Sequence, residues 1–277
     1  MKFCRKFKPD VLTGIGGIFA AHAGFFLRKP VVVWDDTEHA KLSHLITFPF
    51  AKVICSPSCY KKTYGKKHRK YAGYHELAYL HPNRFKPDLE IVKRLGINPD
   101  QKYCILRFVS WAAHHDIGQH GFSAVEKIRF VKKLSEYAKV YITSEAPLPA
   151  ELDQFGLKIA PHLIHHVLAF ARLCVSEGAT IASECACLGT PAVYINTLKA
   201  GTIDEQEQYG LLRQTINADE AFEFSLQYLQ DETTVEKCRA GRAKMLSEKI
   251  DVTNFIVETV EKTAKTINLE FVNRKLS

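Results

Sequence analysis

Short apolar runs alternate with segments of helical periodicity along much of this chain. Residues 102–111 and 139–145 are predominantly apolar, and the stretch 122–138 between them carries apolar side chains at helical spacing. Apolar strands that alternate with helices are typical of a parallel sheet covered by helices on both faces. The pattern therefore predicts the α/β fold class.

Residues 10–34 and 172–195 repeat one plan of strand, glycine turn, helix, proline and strand. Glycine and proline are 13 residues apart in both segments, and both anchors recur after 161 residues. Two shared anchors inside the same local pattern predict two similar α/β halves. The predicted elements are a helix over 18–27 and a strand over 31–34 in the first segment, and a helix over 179–188 and a strand over 192–195 in the second.

Further strands and helices fill the remainder of the chain. Residues 61–100 are rich in loop signals, with Pro82, Pro87 and Pro99, and are expected to connect two domains. The other predicted strands and helices cover residues 51–57, 102–111 and 139–145 as strands and 122–138, 164–172, 219–230, 232–248 and 253–266 as helices.

Composition describes a soluble globular chain with a basic balance. The 277 residues carry a net charge of +8, and the calculated isoelectric point is about 9.0. Such a charge favours anionic partners such as phosphate esters, nucleic acids or an acidic membrane surface. Basic residues cluster at 61–70, but a charge run of this kind is usually a solvated face, so no nucleic-acid binding is expected. Association with a membrane surface stays compatible with the charge.

The cysteines and the N-terminal segment indicate the cellular compartment of the protein. Eight cysteines are present, and several lie within apolar runs, where reduced cysteines are used as small core residues. Residues 11–27 imitate a signal peptide, but Pro9, Asp10, four glycines and His22 fit a turn followed by a helix better. A reducing, cytoplasmic environment is therefore expected.

The two glycine turns are candidate anion sites. A glycine-rich turn into a helix presents free N–H groups and a partial positive charge at the helix N-terminus. We therefore expect phosphate to bind at Gly16 and Gly17 in the first segment and at Gly178 in the second. Glu184 lies about one turn into the second helix, where its carboxylate could accept hydrogen bonds from a sugar diol. A solvent-facing side chain or a local salt bridge explains Glu184 equally well.

Ionisable residues follow the predicted strand over 31–34. Asp35, Asp36, Glu38 and His39 stand where parallel sheets place ligand groups, and they could supply a general base or a metal ligand. A capped helix start is the structural alternative, but a cap needs one such residue rather than four. Asp36 or His39 is the preferred candidate for the base.

A second group follows the strand over 102–111. His114, His115 and Asp116 could supply a base or contact a sugar, and a metal site there would lack a clear further ligand. Arg107 lies inside that strand and requires an anionic partner, which is either a diphosphate or a structural ion pair.

A histidine pair precedes the predicted helix over 164–172. Pairs such as His165 and His166 are more often surface or capping residues than ligand contacts, although base recognition is the alternative here. No spacing typical of a metal site is present, so no bound metal is predicted.

The second half of the chain resembles the C-terminal domain of glycosyltransferases of the B fold and of non-hydrolysing UDP-N-acetylglucosamine 2-epimerases. The resemblance implies that Glu184 holds ribose hydroxyls, that the Ala179–Thr180 turn holds the diphosphate, and that Gln206 and Gln208 lie near the sugar. The residues that carry it are Ser176, Glu177, Gly178, Ala179, Thr180, Glu184, Gly189 and Pro191.

The first half is similar to the later part of the N-terminal domain of the same fold, including that of the lipid-intermediate N-acetylglucosaminyltransferase of peptidoglycan synthesis. The stretches "WDDTEHAKL", "YHELAYLHP" and "RFVSWAAHHDIG" are similar to members of a family of unknown function that is assigned to this fold, over residues 5–265. The resemblance implies two Rossmann-like domains, the first of them incomplete because earlier βα units are missing. An unpaired sheet edge would then favour an oligomer.

The implied domains are a partial N-terminal Rossmann-like domain over 1–85, a C-terminal nucleotide-sugar-binding domain over 86–252, and a helix over 253–277 that packs back on the first domain. The implied function is glycosyl transfer from a nucleotide sugar, with a UDP-sugar as substrate, no separate cofactor and an unknown acceptor. The alternatives are UDP-sugar 2-epimerisation, or a non-catalytic binder that has lost its activity with the N-terminal units.

Overall fold

The chain divides into two compact units. The computed structural model describes residues 2–109 and 122–276, with 266–276 described by their backbone. Unit 1 comprises Met1–Ala78 and Lys249–Ser277, and unit 2 comprises Tyr79–Glu248. The boundaries predicted from the sequence, after residues 85 and 252, lie slightly further along the chain.

Unit 1 alternates strands and helices before it receives the last helix of the chain. Its elements are α1 (Lys2–Phe7), β1 (Leu12–Ile15), α2 (Ile18–Leu27), β2 (Val31–Trp34), α3 (Lys41–Thr47), β3 (Val53–Pro57), β4 (His68–Tyr71), α4 (Leu77–Leu80, at the boundary) and α12 (Val252–Leu276). Within the described residues, its parallel strands lie in the order β1-β2-β3-β4. The buried valines of β2 are central to the core because both faces of this strand are covered.

Unit 2 follows the same alternation with a larger sheet. Its elements are α5 (Leu89–Arg94), β5 (Tyr103–Phe108), α6 (Ala124–Leu134), β6 (Lys139–Ser144), α7 (Ile164–Phe170), β7 (Leu173–Ser176), α8 (Ala179–Leu188), β8 (Ala192–Ile195), α9 (Gly201–Gln208), β9 (Leu212–Thr215), α10 (Ala218–Gln230) and α11 (Thr234–Glu248). In the described chain, the parallel strand order is β6-β5-β7-β8-β9. The predicted α/β class with two parallel sheets is confirmed.

The internal repeat predicted from the sequence is confirmed element by element. The unit β1–α2–β2 recurs as β7–α8–β8, with each start and each end displaced by 161 residues. The two turns nevertheless differ. Gly17 has a left-handed backbone (φ 49°), which favours glycine, whereas Gly178 is extended (φ −96°). Any residue can adopt the backbone conformation of Gly178, so the two glycines have different roles. A Cβ at position 178 would lie 3.3 Å from Val109 Cγ1. This tight contact disfavours residues larger than glycine at that position.

The region 61–100, predicted to be a loop-rich connection, contains β4, α4 and α5. The sequence of β4, HRKY, lacks the apolar signal because β4 is an edge strand.

The basic cluster around β4 has a structural role, since three lysine ammonium groups donate to backbone carbonyls. The pairs are Lys62 to Glu38 O (2.6 Å), Lys67 to Phe48 O and Lys70 to Tyr60 O.

The last helix packs against the sheet of unit 1. The ring of Phe255 in α12 lies 6.0 Å from that of Trp34 and 5.2 Å from that of Tyr71. Gly73 allows the close approach of Val252, because a Cβ at Gly73 would lie 2.5 Å from Val252 Cγ2. No helix in the described part of the chain combines the length and apolar character needed to cross a membrane.

Candidate functional site

The first turn of α8 has no side-chain cap among the residues that the structure describes. It begins directly after β7, at the carboxyl edge of the sheet of unit 2. Gly178 precedes the helix and provides no side-chain cap, and the Ser176 hydroxyl accepts from Gly178 N at 3.0 Å. Ala179 is half-buried and Thr180 is exposed. The amides of this turn thus form the arrangement that binds phosphate at helix N-termini.

Glu184 lies one turn further along α8 and is buried, with 6% of its surface exposed. The Tyr79 hydroxyl donates to its Oε1 at 2.8 Å, and His165 Nε2 lies 3.0 Å from the same oxygen. Its Oε2 is buried and has no hydrogen-bond partner among the described residues. Buried polar atoms in native proteins are almost always paired, so an open carboxylate oxygen is a candidate contact for a ligand.

Aromatic rings surround the histidines of α7. The ring of His165 lies 5.5 Å from that of Tyr79 and 6.0 Å from that of Phe85, which also lies 4.8 Å from His166. The Nδ1 atom of His166 accepts from the backbone N–H of Asp88 at 3.0 Å. Burial lowers the pKa of His166. His166 is therefore a structural acceptor, whereas His165 lies against the carboxylate of Glu184.

Glu177 is completely buried just before the same turn. Its carboxylate accepts from the backbone N–H of Val109 (2.9 Å) and of Phe122 (2.8 Å), and Lys127 Nζ lies 3.2 Å away. Burial raises its pKa, although Lys127 and the two N–H donors oppose the shift. Glu177 therefore stabilises the backbone beside the turn rather than facing a ligand.

The candidates His115 and Asp116, with His114, lie outside the described residues. Arg107 is placed near the carboxyl end of β5, opposite Ser176 of β7. Its guanidinium donates to Glu145 Oε1 at 2.6 Å. This contact is the structural ion pair that the sequence left open as an alternative to a diphosphate contact.

The two glutamines of α9 are not brought together. Gln206 is buried and donates to Ser183 Oγ at 2.6 Å, whereas Gln208 is exposed. Residues two apart on a helix are separated by about 200° around its axis. The two side chains therefore leave α9 in nearly opposite directions, and their expected position near the sugar stays a prediction.

The equivalent turn in unit 1 connects β1 to α2. Gly16 and Gly17 both have positive φ, and Gly17 leaves α2 without a side-chain cap. The N–H of Gly16 donates to Trp34 O at 2.8 Å, which ties the turn to the end of β2. This turn is a second helix N-terminus at a carboxyl sheet edge, as the repeat predicted.

Two of the carboxylates after β2 have structural partners. Asp35 is buried, accepts from the Tyr60 hydroxyl at 2.7 Å and lies 3.0 Å from His44 Nε2. Glu38 is also buried, and its Oε1 accepts from the backbone N–H of Lys61 at 2.9 Å. These contacts hold the segment after β3 against the segment after β2.

Asp36 and His75 in unit 1 influence each other electrostatically. Burial raises the pKa of Asp36, which accepts from the Thr37 hydroxyl at 3.0 Å. Burial lowers the pKa of His75, and the nearby charge of Asp36 opposes that shift. Burial also raises the pKa of Tyr71, with Asp36 and Glu76 contributing. The opposite shifts bring the pKa values of Asp36 and His75 towards each other, which suits proton transfer.

Sequence reasoning missed His75 because it missed β4, the strand that precedes it. His39, the other predicted base, is half-buried after β2. Within residues 2–109 and 122–276, no group of three His, Cys, Asp or Glu side chains is arranged to hold a metal ion.

Solved structures similar to this chain support the two-unit fold. The UDP-GlcNAc 2-epimerase of Neisseria meningitidis bound to UDP-GlcNAc has a TM-score of 0.67 at 13% identity, covering 94% of this chain and 78% of the epimerase. The S. aureus MnaA–UDP co-structure has a TM-score of 0.62 at 12% identity, with coverages of 91% and 75%. Acinetobacter baumannii MurG has a TM-score of 0.55 at 14% identity, with coverages of 94% and 76%.

These similarities establish the Rossmann-like, two-unit fold of the glycosyltransferase B type. No curated protein matches the sequence. One family model matches residues 1–265, which is nearly the whole chain. The chain therefore belongs to the family described as "Protein of unknown function (DUF354)".

Proposed function

We propose that this chain binds a nucleotide sugar, with the diphosphate at the N-terminus of α8 and the ribose at Glu184, and that it transfers the sugar to an acceptor. One observation carries the proposal: Glu184 is buried with an open Oε2, one turn from an uncapped helix N-terminus. The two features bind different parts of one ligand, because amides attract phosphate whereas a carboxylate repels it and accepts from hydroxyl groups.

The spacing of these features fits a nucleotide. Thr180 and Glu184 are separated by four residues, which is about 6 Å along a helix axis. The phosphates and the ribose hydroxyls of a nucleotide are separated by a similar length. The net charge of +8 favours the approach of a dianionic ligand. The solved structures of the N. meningitidis epimerase with UDP-GlcNAc and of S. aureus MnaA with UDP support uridine as the nucleoside.

Glycosyl transfer needs a base for the acceptor hydroxyl. The acceptor oxygen attacks the anomeric carbon, its proton passes to the base, and the bond from that carbon to the diphosphate oxygen breaks. Asp36 in unit 1 is the proposed base, since burial raises its pKa towards the working range of a general base. The amides of α8 would stabilise the negative charge of the departing diphosphate.

Epimerisation of a UDP-sugar is the second candidate, and the Asp36–His75 pair favours it. Inversion at a sugar carbon removes a proton from one face and returns one to the other face, so two proton-carrying groups are required. Asp36 and His75 are two such groups, with pKa values shifted in opposite directions.

Isothermal titration calorimetry with UDP and UDP-N-acetylglucosamine tests the binding site. Glu184→Gln removes the charge but keeps the size of the side chain, and a lost hydrogen bond to a charged group should weaken affinity about 10- to 100-fold. Glu223→Gln, on the exposed face of α10, is the matched control and should bind like the wild type. No binding by the wild type, or equal binding by Glu184→Gln, would refute the proposal.

Proton NMR in D2O separates the two reactions. Incubation of the UDP-sugar without an acceptor should leave its ring protons unexchanged if the chain is a transferase. Deuterium at the inverted carbon would instead establish epimerisation. Binding with unexchanged ring protons, and with no release of UDP when candidate acceptor sugars are added, would identify a non-catalytic binder.

A further inference from the structure

We infer that Tyr79 and His165 are positioning residues for Glu184, which hold its Oε1 so that only Oε2 is presented to the ribose of the nucleotide. The inference rests on the proposed function and goes beyond it. It specifies which atom of the carboxylate receives the ligand and which two side chains determine this.

The contacts on the two oxygens of Glu184 are unequal. Oε1 accepts from the Tyr79 hydroxyl at 2.8 Å, and His165 Nε2 lies 3.0 Å from the same oxygen. Oε2 has no partner within the part of the chain that the structure describes. The carboxylate is therefore held from one side and open on the other.

A neighbouring carboxylate shows what a purely structural role requires. Glu177, seven residues earlier, is also buried, but both of its oxygens are satisfied. Its Oε1 accepts from Phe122 N, and its Oε2 accepts from Val109 N with Lys127 nearby. A buried carboxylate is stable when all of its acceptors are met. Among the described residues, Glu184 departs from this rule at one oxygen, which supports the ribose contact proposed above.

Side chains from two other helices contact Glu184 of α8. Tyr79 belongs to α4 and His165 belongs to α7. The rings of Tyr79 and His165 lie 5.5 Å apart, and the ring of Phe85 lies 6.0 Å from that of His165. A free glutamate side chain loses about 1–2 kcal/mol of rotamer entropy when it is ordered. Contacts that order it before the ligand arrives remove this cost from binding.

A double-mutant cycle tests the inference. UDP affinity is measured by calorimetry for Tyr79→Phe, Glu184→Gln and the double variant, with Tyr137→Phe, an exposed tyrosine, as the control. Tyr79→Phe should weaken binding about 3- to 10-fold, because the ring stays and only the hydroxyl is lost. In the Glu184→Gln background the same change should have less than a twofold effect, since there is no charged carboxylate left to position.

Variants of His165 provide a second measurement. His165→Leu should weaken UDP binding, whereas His165→Gln can place an amide N–H near Oε1 and should restore most of the affinity. Thermal unfolding of every variant, measured alongside, separates a change in binding from a loss of folded protein.

Each outcome decides between the alternatives. If the wild type and Glu184→Gln differ but Tyr79→Phe binds like the wild type, the positioning role is refuted while the proposed function stands. Tighter binding by Tyr79→Phe would also refute it, because Tyr79 would then compete with the ligand. If the wild type binds no UDP, the proposed function and this inference both fail.

Discussion

Removal of the Glu177 carboxylate should be among the most damaging single changes in unit 2. Glu177→Ala deletes an acceptor with 0% exposure, and three partners lose it at once. The backbone N–H groups of Val109 and Phe122 are left without this acceptor, and Lys127, with 15% of its side chain exposed, loses its ion pair. The carbonyl of Glu177 keeps its bond from Asn196 because it belongs to the backbone.

The magnitude follows from these contacts. Each hydrogen bond to a charged group contributes about 1.5–3 kcal/mol, and breaking one partner out of a buried ion pair costs about 3–5 kcal/mol. These contributions share one carboxylate, so they are not added. We expect a loss of about 3–5 kcal/mol in the free energy of unfolding of unit 2, which is a large fraction of a typical domain's 5–15 kcal/mol.

Urea denaturation followed by circular dichroism measures the loss, and hydrogen exchange with mass spectrometry locates it in β5 and β7. Glu145→Ala is the matched control, because it removes a half-exposed partner of Arg107 and should cost about 1 kcal/mol or less. Glu177→Gln should fall between the two, since its amide oxygen can replace one acceptor. A loss below about 1 kcal/mol for Glu177→Ala would refute the reasoning.

Three other predictions concern pH, packing and proton transfer. Because burial raises the pKa of Glu177, the folded state binds more protons than the unfolded state between the two pKa values. Stability should therefore fall as pH rises through that window, and Glu177→Gln should flatten the fall in urea titrations. Gly24→Ala would place a Cβ against Val31 Cγ2 and 2.9 Å from a backbone oxygen. This crowding should destabilise unit 1 by about 1–3 kcal/mol, which thermal unfolding measures. An unchanged melting temperature would contradict this prediction. His75→Gln should lower UDP-sugar turnover about 100-fold or more and remove the alkaline limb of the pH–rate profile, whereas an unaltered profile would exclude His75 from proton transfer with Asp36.

The sequence predicted the central strands and the edge strand β6 well, but it missed the edge strands β4 and β9. The bounds of α2, β2, α8 and β8 agree with the predicted ranges, because strands covered on both faces must be continuously apolar. The edge strands β4 (HRKY) and β9 (LRQT) are polar because one side of each is solvated, so they carry no such signal. Missing them also hid the residues that follow them.

The candidate site was only partly accessible to sequence reasoning. Local spacing was sufficient to find the Gly178 turn and Glu184, which lie on one helix. Tyr79 lies 105 residues away from Glu184, and no local pattern connects them. The burial of Glu177 and its three partners are likewise determined by tertiary packing.

The return of the chain to unit 1 has a consequence for folding during synthesis. The ribosome completes all of Tyr79–Glu248 before it releases Phe255, whose ring covers Trp34 and Tyr71. At about 5–20 residues per second, this leaves an interval on the order of 10–35 s in which the N-terminal sheet lacks its last helix. Unit 2, which is continuous in sequence, can fold within that interval, whereas unit 1 cannot complete its folding until its last helix has been synthesised. The segment made first is thus the one whose folding finishes last.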